Sequence, residues 1–338
     1  MTASIKIPQL VAPAGSLQAL KAAVDNGADC VYMGFRDGTN ARNFPGLNFS
    51  EKEALQAINY AHDRKVKVYV ALNTYPKPDQ WHKWCRAVDQ ASDLGGDAMI
   101  TADASLMAYA HQNHPDLRLH LSVQGSATNH LAIDYYARHF NIQRAVLPRV
   151  LSVPQVARVI KSTAVEIEVF GYGSLCIMVE GRCALSSYVT GKSPNAAGVC
   201  SPAEFVRWEQ QGPVTRSHLN NVLIDEYLEG EKAGYPTICK GRYRVNDALY
   251  YALEEPVSLN VLEILPELMQ LGIAAIKVEG RQRSPAYVGE VTRILRQAID
   301  ACARRPDGFR PASEWMSALN RLSEGQCHTL GAYHRSWQ

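Results

Sequence analysis

Four cysteines in the second half of the chain carry the strongest chemical signal: Cys176, Cys183, Cys200 and Cys239, spaced C-x6-C-x16-C-x38-C. Thiolates are soft, charged donors that bind zinc and iron. A structural zinc site usually takes two ligands from one tight cysteine pair, and no such pair occurs here. An iron–sulfur cube is larger and draws one thiolate per iron from different directions. Wide, irregular spacing suits that geometry, although ferredoxin spacing and CxxxCxxC are both absent. Spacing alone leaves three readings open: an iron–sulfur cluster, zinc, or unligated thiols. Ser201-Pro202 directly after Cys200 keeps the chain from running on as helix there. Cys30 in ADCVYMGF, Cys85 in WHKWCRAV and Cys302 in LRQAIDACAR read as packing thiols, and Cys327 as an exposed one.

The rest of the composition excludes more than it selects. The chain has 338 residues, 46% hydrophobic and 20% charged, enough to bury a large core. A net charge of +2 shows none of the basic excess of a nucleic-acid-binding domain. The start, MTASIKIPQLVAPAGS, has no secretory pattern, and no apolar run approaches a membrane span. A cytoplasmic protein is expected, in which the thiols are not structural disulfides. No HExxH occurs, HQNH (111–114) reads as a solvated edge, and SSYVTGK (186–192) lacks the GxSxG of a serine hydrolase.

Positioning the thiols falls to a repeated strand–helix pattern. Strands are expected at 9–13, 30–35, 67–73, 97–103, 118–124, 144–149, 165–171 and 274–280. Amphipathic segments separate them: 16–27, 50–64 with a capping box at Ser50 and Glu53, 78–95, 260–272 and 286–305. Such alternation implies parallel strands with helical crossovers. Eight units predict a (β/α)8 TIM-type barrel with a cysteine-bearing insertion after strand seven; a doubly wound open sheet is the alternative, without the GxGxxG of a dinucleotide site. The expected divisions are 1–171 for the first seven units, 172–255 for the insertion, 256–310 for the last unit and 311–338 for a tail. Within the insertion, GRYRVNDALYYA predicts a hairpin turning at Asn-Asp, its aromatics serving as a small core or a partner face.

Residues 168–186, EVFGYGSLCIMVEGRCALS, match E-x-F-x2-G-S-L-C-x4-G-x-C-x-L-S at every specified position. That signature resembles the collagenase-like peptidase family. VAPAGSLQALKAAVDNGADCVYMGF, TNARNFPGLNFSEKEA, VQGSATN, YPTICKGRY, KVEGRQRSPAYV and TLGAYHRSWQ extend the likeness over nearly the whole chain, apart from residues 1–8, which read as a short extra N-terminus. Within the family, the chain is most similar to the branch that hydroxylates ubiquinone precursors in anaerobic ubiquinone biosynthesis. The resemblance implies a 4Fe–4S cluster on Cys176, Cys183, Cys200 and Cys239, and an O2-independent hydroxylase active as a heterodimer with a UbiV-like paralogous subunit. It implies a UbiT-like sterol-carrier lipid-binding protein as a further partner, and prephenate as oxygen source. Relatives that hydroxylate tRNA or rRNA bases give one alternative; a non-catalytic cluster scaffold for the partner gives another. Peptidase activity is not expected.

A dicarboxylate such as prephenate calls for arginine forks and hydrogen-bond donors. Polar residues at or near the ends of the expected strands supply them. Arg42, Asn73, Gln124, Arg149 and Arg281 are the candidate substrate-binding residues. Glu168, Lys277 and Glu279 are the candidate catalytic ones, with an ion pair inside the barrel wall as the plainer role for Lys277 and Glu279. Asn40, Asp103 and Asn129 lie at neighbouring strand ends or in the loops that follow.

Overall fold

The computed structural model describes residues 6–325 and 327–335. Part of the expected N-terminal extension and the last residues of TLGAYHRSWQ lie outside them. Seven parallel strands come first: β1 (Gln9–Pro13), β2 (Cys30–Met33), β3 (Lys67–Leu72), β4 (Ala98–Thr101), β5 (Arg118–Leu121), β6 (Ile142–Val146) and β7 (Glu166–Ser174). Helices α1 (Leu17–Asp25), α2 (Glu51–His62), α3 (Trp81–Asp93), α4 (Ala104–Asn113), α5 (His130–Phe140) and α6 (Val153–Ser162) connect them. The insertion holds α7 (Leu185–Thr190), α8 (Pro194–Ala197), β8 (Val206–Gln211), β9 (Val214–Leu219), β10 (Val222–Tyr227), β11 (Arg242–Val245) and β12 (Ala248–Tyr251). The chain then returns through β13 (Ser258–Asn260), α9 (Leu265–Gln270), β14 (Ala275–Val278), α10 (Pro285–Arg304), α11 (Ser313–Leu322) and β15 (His328–Thr329).

Closure is decided by one strand. Ile276 of β14 stands in register with Leu10 of β1 on one side and Val169 of β7 on the other. The eight parallel strands therefore form a ring, a (β/α)8 barrel, and the open-sheet alternative fails. The strands are apolar because both faces are covered: one packs under the helices, the other fills the barrel. Val11, Cys30, Tyr32, Tyr69, Ala71, Ala98, Ile100 and Ala275 form a buried cluster of their own, apart from the larger core. The capping box of α2 is made, with Ser50 N donating to Glu53 Oε2 at 2.9 Å.

Two expectations need correction. The helix expected over 260–272 is shorter: β13 and a 3-10 turn take its first residues, and α9 starts at Leu265 with Pro266 in its first turn, where a missing N–H costs nothing. Beyond the β11–β12 hairpin, the insertion contains an antiparallel meander, β8–β9–β10, absent from the sequence reading. The hairpin itself turns at Asn246 and Asp247, both at positive φ (49° and 65°), as a two-residue turn of this kind requires.

Across 175–255 the buried apolar side chains are Leu175, Val199, Leu219, Ile224 and Tyr227, with the prolines Pro194, Pro202 and Pro236. A segment of this length with so few cannot hold its shape by burial alone. It leans on the loops at the barrel mouth. Arg42 N donates to Gly198 O at 2.7 Å, Tyr75 N to Asn195 O at 3.2 Å, and Ser126 Oγ to Glu180 O at 2.6 Å. Two glycines permit this approach. A Cβ on Gly181 (φ +87°) would stand 1.9 Å from the Gln124 carbonyl oxygen, and one on Gly198 (φ +81°) 2.8 Å from that of Asn40.

Candidate functional site at the barrel mouth

The four cysteines meet where the insertion covers the C-terminal ends of the strands. Cys176 lies just beyond β7, Cys183 just before α7, Cys200 just after α8, and Cys239 in a 3-10 turn ahead of the hairpin. Cys176, Cys183 and Cys239 each lie within electrostatic reach of Cys200. Burial pushes all three of these thiols above the ordinary thiol range, most of all Cys176. They stay protonated at neutral pH until a cation takes the place of the protons. Local donors already face the sulfurs: the backbone N–H groups of Leu185 and Ser186 at Cys183, that of Met178 at Cys176, and Thr237 Oγ1 3.7 Å from Cys239 Sγ. Among the described residues, no three His, Cys, Asp or Glu side chains gather closely enough to hold a single metal ion.

Buried ion pairs surround the thiols. Arg42 Nε lies 3.1 Å from Glu279 Oε1, Arg149 Nε 2.7 Å from Glu180 Oε1, and Lys240 Nζ 2.7 Å from Glu324 Oε2. Arg42 feels Cys200 and Cys176, Arg149 feels Cys176, and Lys240 acts on Cys239. Arg42 is held at φ 68°, a strained backbone for a residue with a side chain. Glu279 also accepts from Ser174 N at 3.3 Å and Gln282 Nε2 at 3.2 Å. Despite its burial, its carboxyl is held down to about 2, chiefly by Arg42 and then Arg149.

Deeper in the barrel lies a second charged group. Lys277 Nζ sits 2.7 Å from Glu168 Oε1, and Arg144 Nη1 3.4 Å from Glu168 Oε2. Arg144 also binds Glu166 and Gln9, and Arg118 binds Glu166. His120, fully buried, has no partner on Nδ1; burial, then Arg144, lowers its pKa well below the usual imidazole value.

The candidates named from sequence thus fall into two layers. Arg42, Arg149, Glu279 and Arg281 meet at the mouth with the cysteines, whereas Glu168 and Lys277 pair inside the barrel. Asn73 spends its side chain on Ala41 N (2.9 Å) and Ser122 Oγ (3.0 Å), and the Gln124 carbonyl accepts from Tyr75 Oη at 2.8 Å. Of the five residues expected to bind substrate, Arg281 keeps a buried donor, Nε, without a partner. Sequence reasoning missed Arg144, Glu180, Lys240, Glu324 and Tyr32. Glu166 and Glu168 carried a signal: in EIEVF they alternate with apolar neighbours, and a barrel strand sends alternate residues inward; Arg144, beside polar Gln143 in IQRAV, carried none of this kind.

Comparisons with known proteins accord with the signature. The family model described as peptidase family U32 matches residues 15–336. A protein of Methanocaldococcus jannaschii named an uncharacterized protease is 33% identical over 298 residues, covering 87% of this chain and 65% of that protein. The tRNA hydroxylation protein P1 of Bacillus subtilis is 29% identical over 94% of this chain and 69% of its own length. The tRNA hydroxylation protein P of Haemophilus influenzae is 30% identical over 90% of this chain and 70% of its own. The chain spans about two thirds of the length of these relatives.

Proposed function

The chain belongs to peptidase family U32, and from that premise we propose that it is a hydroxylase-type subunit of the UbiU kind. On this reading it holds a 4Fe–4S cluster on Cys176, Cys183, Cys200 and Cys239 and acts without O2 on ubiquinone precursors, with prephenate as oxygen donor. One observation supports the proposal: Cys176, Cys183 and Cys239, distant in sequence, each lie within electrostatic reach of Cys200. A 4Fe–4S cube takes one thiolate at each corner, the number of thiols this set offers. The insertion's shortage of buried apolar side chains also gives an inorganic staple a physical task.

Such a cluster supplies electrons or Lewis acidity when bound. This chain's residues do the rest. Arg42 and Arg149 place positive charge against the thiolates, and Glu279 and Glu180 orient those arginines. Glu279, held ionised at the mouth by Arg42 and Arg149, is too weak a base to take a proton readily and serves to position Arg42 and Gln282. Glu168 and Lys277, paired below, neutralise each other in the barrel interior rather than touch a substrate at the rim. A UbiV-like paralogue and a UbiT-like lipid carrier are the proposed partners and the cytoplasm the proposed compartment; among the described residues no helix is long and apolar enough to cross a membrane.

The relatives named for tRNA hydroxylation support the same chemistry on a base in RNA as the second reading. A deletion strain grown without oxygen separates the two. Loss of ubiquinone with unchanged tRNA hydroxylation supports the first, and the converse supports the second. For the cluster, anaerobically purified protein is expected to be brown with about four irons per chain, and Cys176→Ala to be colourless. A colourless wild-type preparation carrying stoichiometric zinc would sink the cluster.

A further inference from the structure

Lys240 directly follows Cys239 and is 6% exposed. Its ammonium donates to Glu324 Oε2 at 2.7 Å and to Ser174 Oγ at 2.8 Å, and Ser174 Oγ donates to the same carboxylate oxygen at 2.8 Å. Three stretches of chain meet in this triangle. They are the end of β7 just before Cys176, the turn that carries Cys239, and the C-terminal strap between α11 and β15. Burying such a pair takes two charges out of water, and an apolar pair of similar volume is often no less stable. Stability alone therefore does not account for a cation kept beside a thiol.

Each corner of the triangle is held from a second side. Ser174 N donates to Glu279 Oε2 at 3.3 Å, and β7 sets Ser174 in register with Ser258 of β13. Glu324 N donates to Ser258 Oγ at 2.8 Å, and a Cβ on the adjoining Gly325 would stand 1.9 Å from the Pro256 carbonyl oxygen. β15 then pairs with β13, and Tyr333 Oη donates to Phe170 O at 2.8 Å, which ties the strap to the barrel. On the cysteine side, Glu254 N donates to Cys239 O at 3.1 Å. Burial raises the Cys239 thiol, while the Thr237 hydrogen bond and the Lys240 charge oppose it, so the pair presents its positive end to the sulfur.

We propose that Lys240, pinned by Glu324 and Ser174, is a fixed positive charge that raises the reduction potential of the cluster held by Cys239 and its three partners. The inference rests on the reading of the four cysteines as cluster ligands and adds what sets their potential. A cation beside a cluster favours the state with one more electron, and net charge and outer partners are the levers by which a protein sets such potentials. A lysine free to swing into water would be screened, whereas one buried between a hydroxyl and a carboxylate acts at full strength. Glu324 lies 84 positions beyond Lys240. The C-terminal strap, which carries none of the four cysteines, thereby becomes part of the cluster's surroundings.

The test uses the full chain purified without oxygen, titrated with redox mediators and followed by electron paramagnetic resonance. Glu324→Gln keeps an acceptor for the ammonium and removes only the negative charge, so it should titrate at or above the wild-type potential. The double variant K240M/E324Q removes both charges at nearly constant volume and should titrate below wild type. At a fixed potential its reduced-to-oxidised ratio should be about tenfold lower, about 59 mV for one electron. A purely structural pair would change the melting temperature or the iron content and leave the potential of the remaining cluster where it was. A double variant at the wild-type potential therefore overturns the proposal, as does one that folds but loads no iron, or an E324Q that titrates below wild type. If the double variant does not fold, Lys240→Gln decides: a potential below wild type supports the tuning role, and an equal potential or an iron-free protein overturns it. Iron content keeps the two ideas apart. Iron-free wild type sinks the cluster reading and this inference with it, whereas iron-replete variants that all share the wild-type potential sink this inference alone.

Discussion

Glu279 gathers most of what a single residue contributes here. A carboxylate so deeply buried would ordinarily be hard to ionise, yet Arg42 at 3.1 Å and the nearby Arg149 hold its pKa down to about 2, from an ordinary 4.5. Because the folded value lies below the unfolded one, the group stabilises the protein above pH 4.5, and that contribution is lost as pH falls toward 2. The shift corresponds to about 3 kcal/mol. Urea midpoints followed from pH 7 to pH 3 should therefore fall more steeply for wild type than for Glu279→Gln; parallel slopes would refute the assignment. Glu180 makes a related case. It is the carboxylate partner of Arg149, and Glu180→Ala leaves that buried guanidinium unpaired, at a cost of about 3–5 kcal/mol in denaturation experiments. A loss below about 1 kcal/mol would mean that the pair behaves as a surface one.

At the level of elements, the sequence was readable where a local period or cap reports a local fact. Apolar runs marked the barrel strands, Ser50 and Glu53 marked the start of α2, and Asn246-Asp247 marked the hairpin turn. The meander β8–β10 was missed although its turns were visible, Gly212-Pro213 and Asn220-Asn221, because its strands are amphipathic and half exposed and lack the apolar density of the barrel strands. The ion pairs at the mouth were beyond any local pattern: Arg42 and Glu279 are separated by 237 positions. Glycines gave the least away, because nothing in a sequence says what a missing Cβ would strike. Gly181→Ala is the sharpest test of that point. The methyl would meet the Gln124 carbonyl in a backbone conformation alanine resists. The loop between Cys176 and Cys183 should lift from the barrel, lowering iron per chain at least about twofold while the far-ultraviolet circular dichroism of the barrel stays unchanged. Full iron retention in G181A would show that the loop does not depend on this contact.

For the molecule as a whole, the unequal distribution of buried apolar surface sets an expectation about metal loss. The main core runs through all eight barrel strands and the helices around them, while the insertion adds few side chains to it. The barrel is therefore expected to stand without the cluster and the insertion to depend on it, much as small metal-bound modules lose their structure with their metal. Air oxidation or chelation of an anaerobic preparation should remove iron while most of the cooperative unfolding transition survives. Proteolytic cleavage should at the same time become at least about tenfold faster within residues 175–255, since local opening governs such cleavage. The cleavage sites, read by mass spectrometry, are the informative part: cuts confined to the insertion place the metal's stabilising effect there, as the packing requires. Iron removal that collapses the barrel strands as well, or that leaves cleavage of the insertion at its original rate, would show that the thiols do not fasten this segment to the mouth.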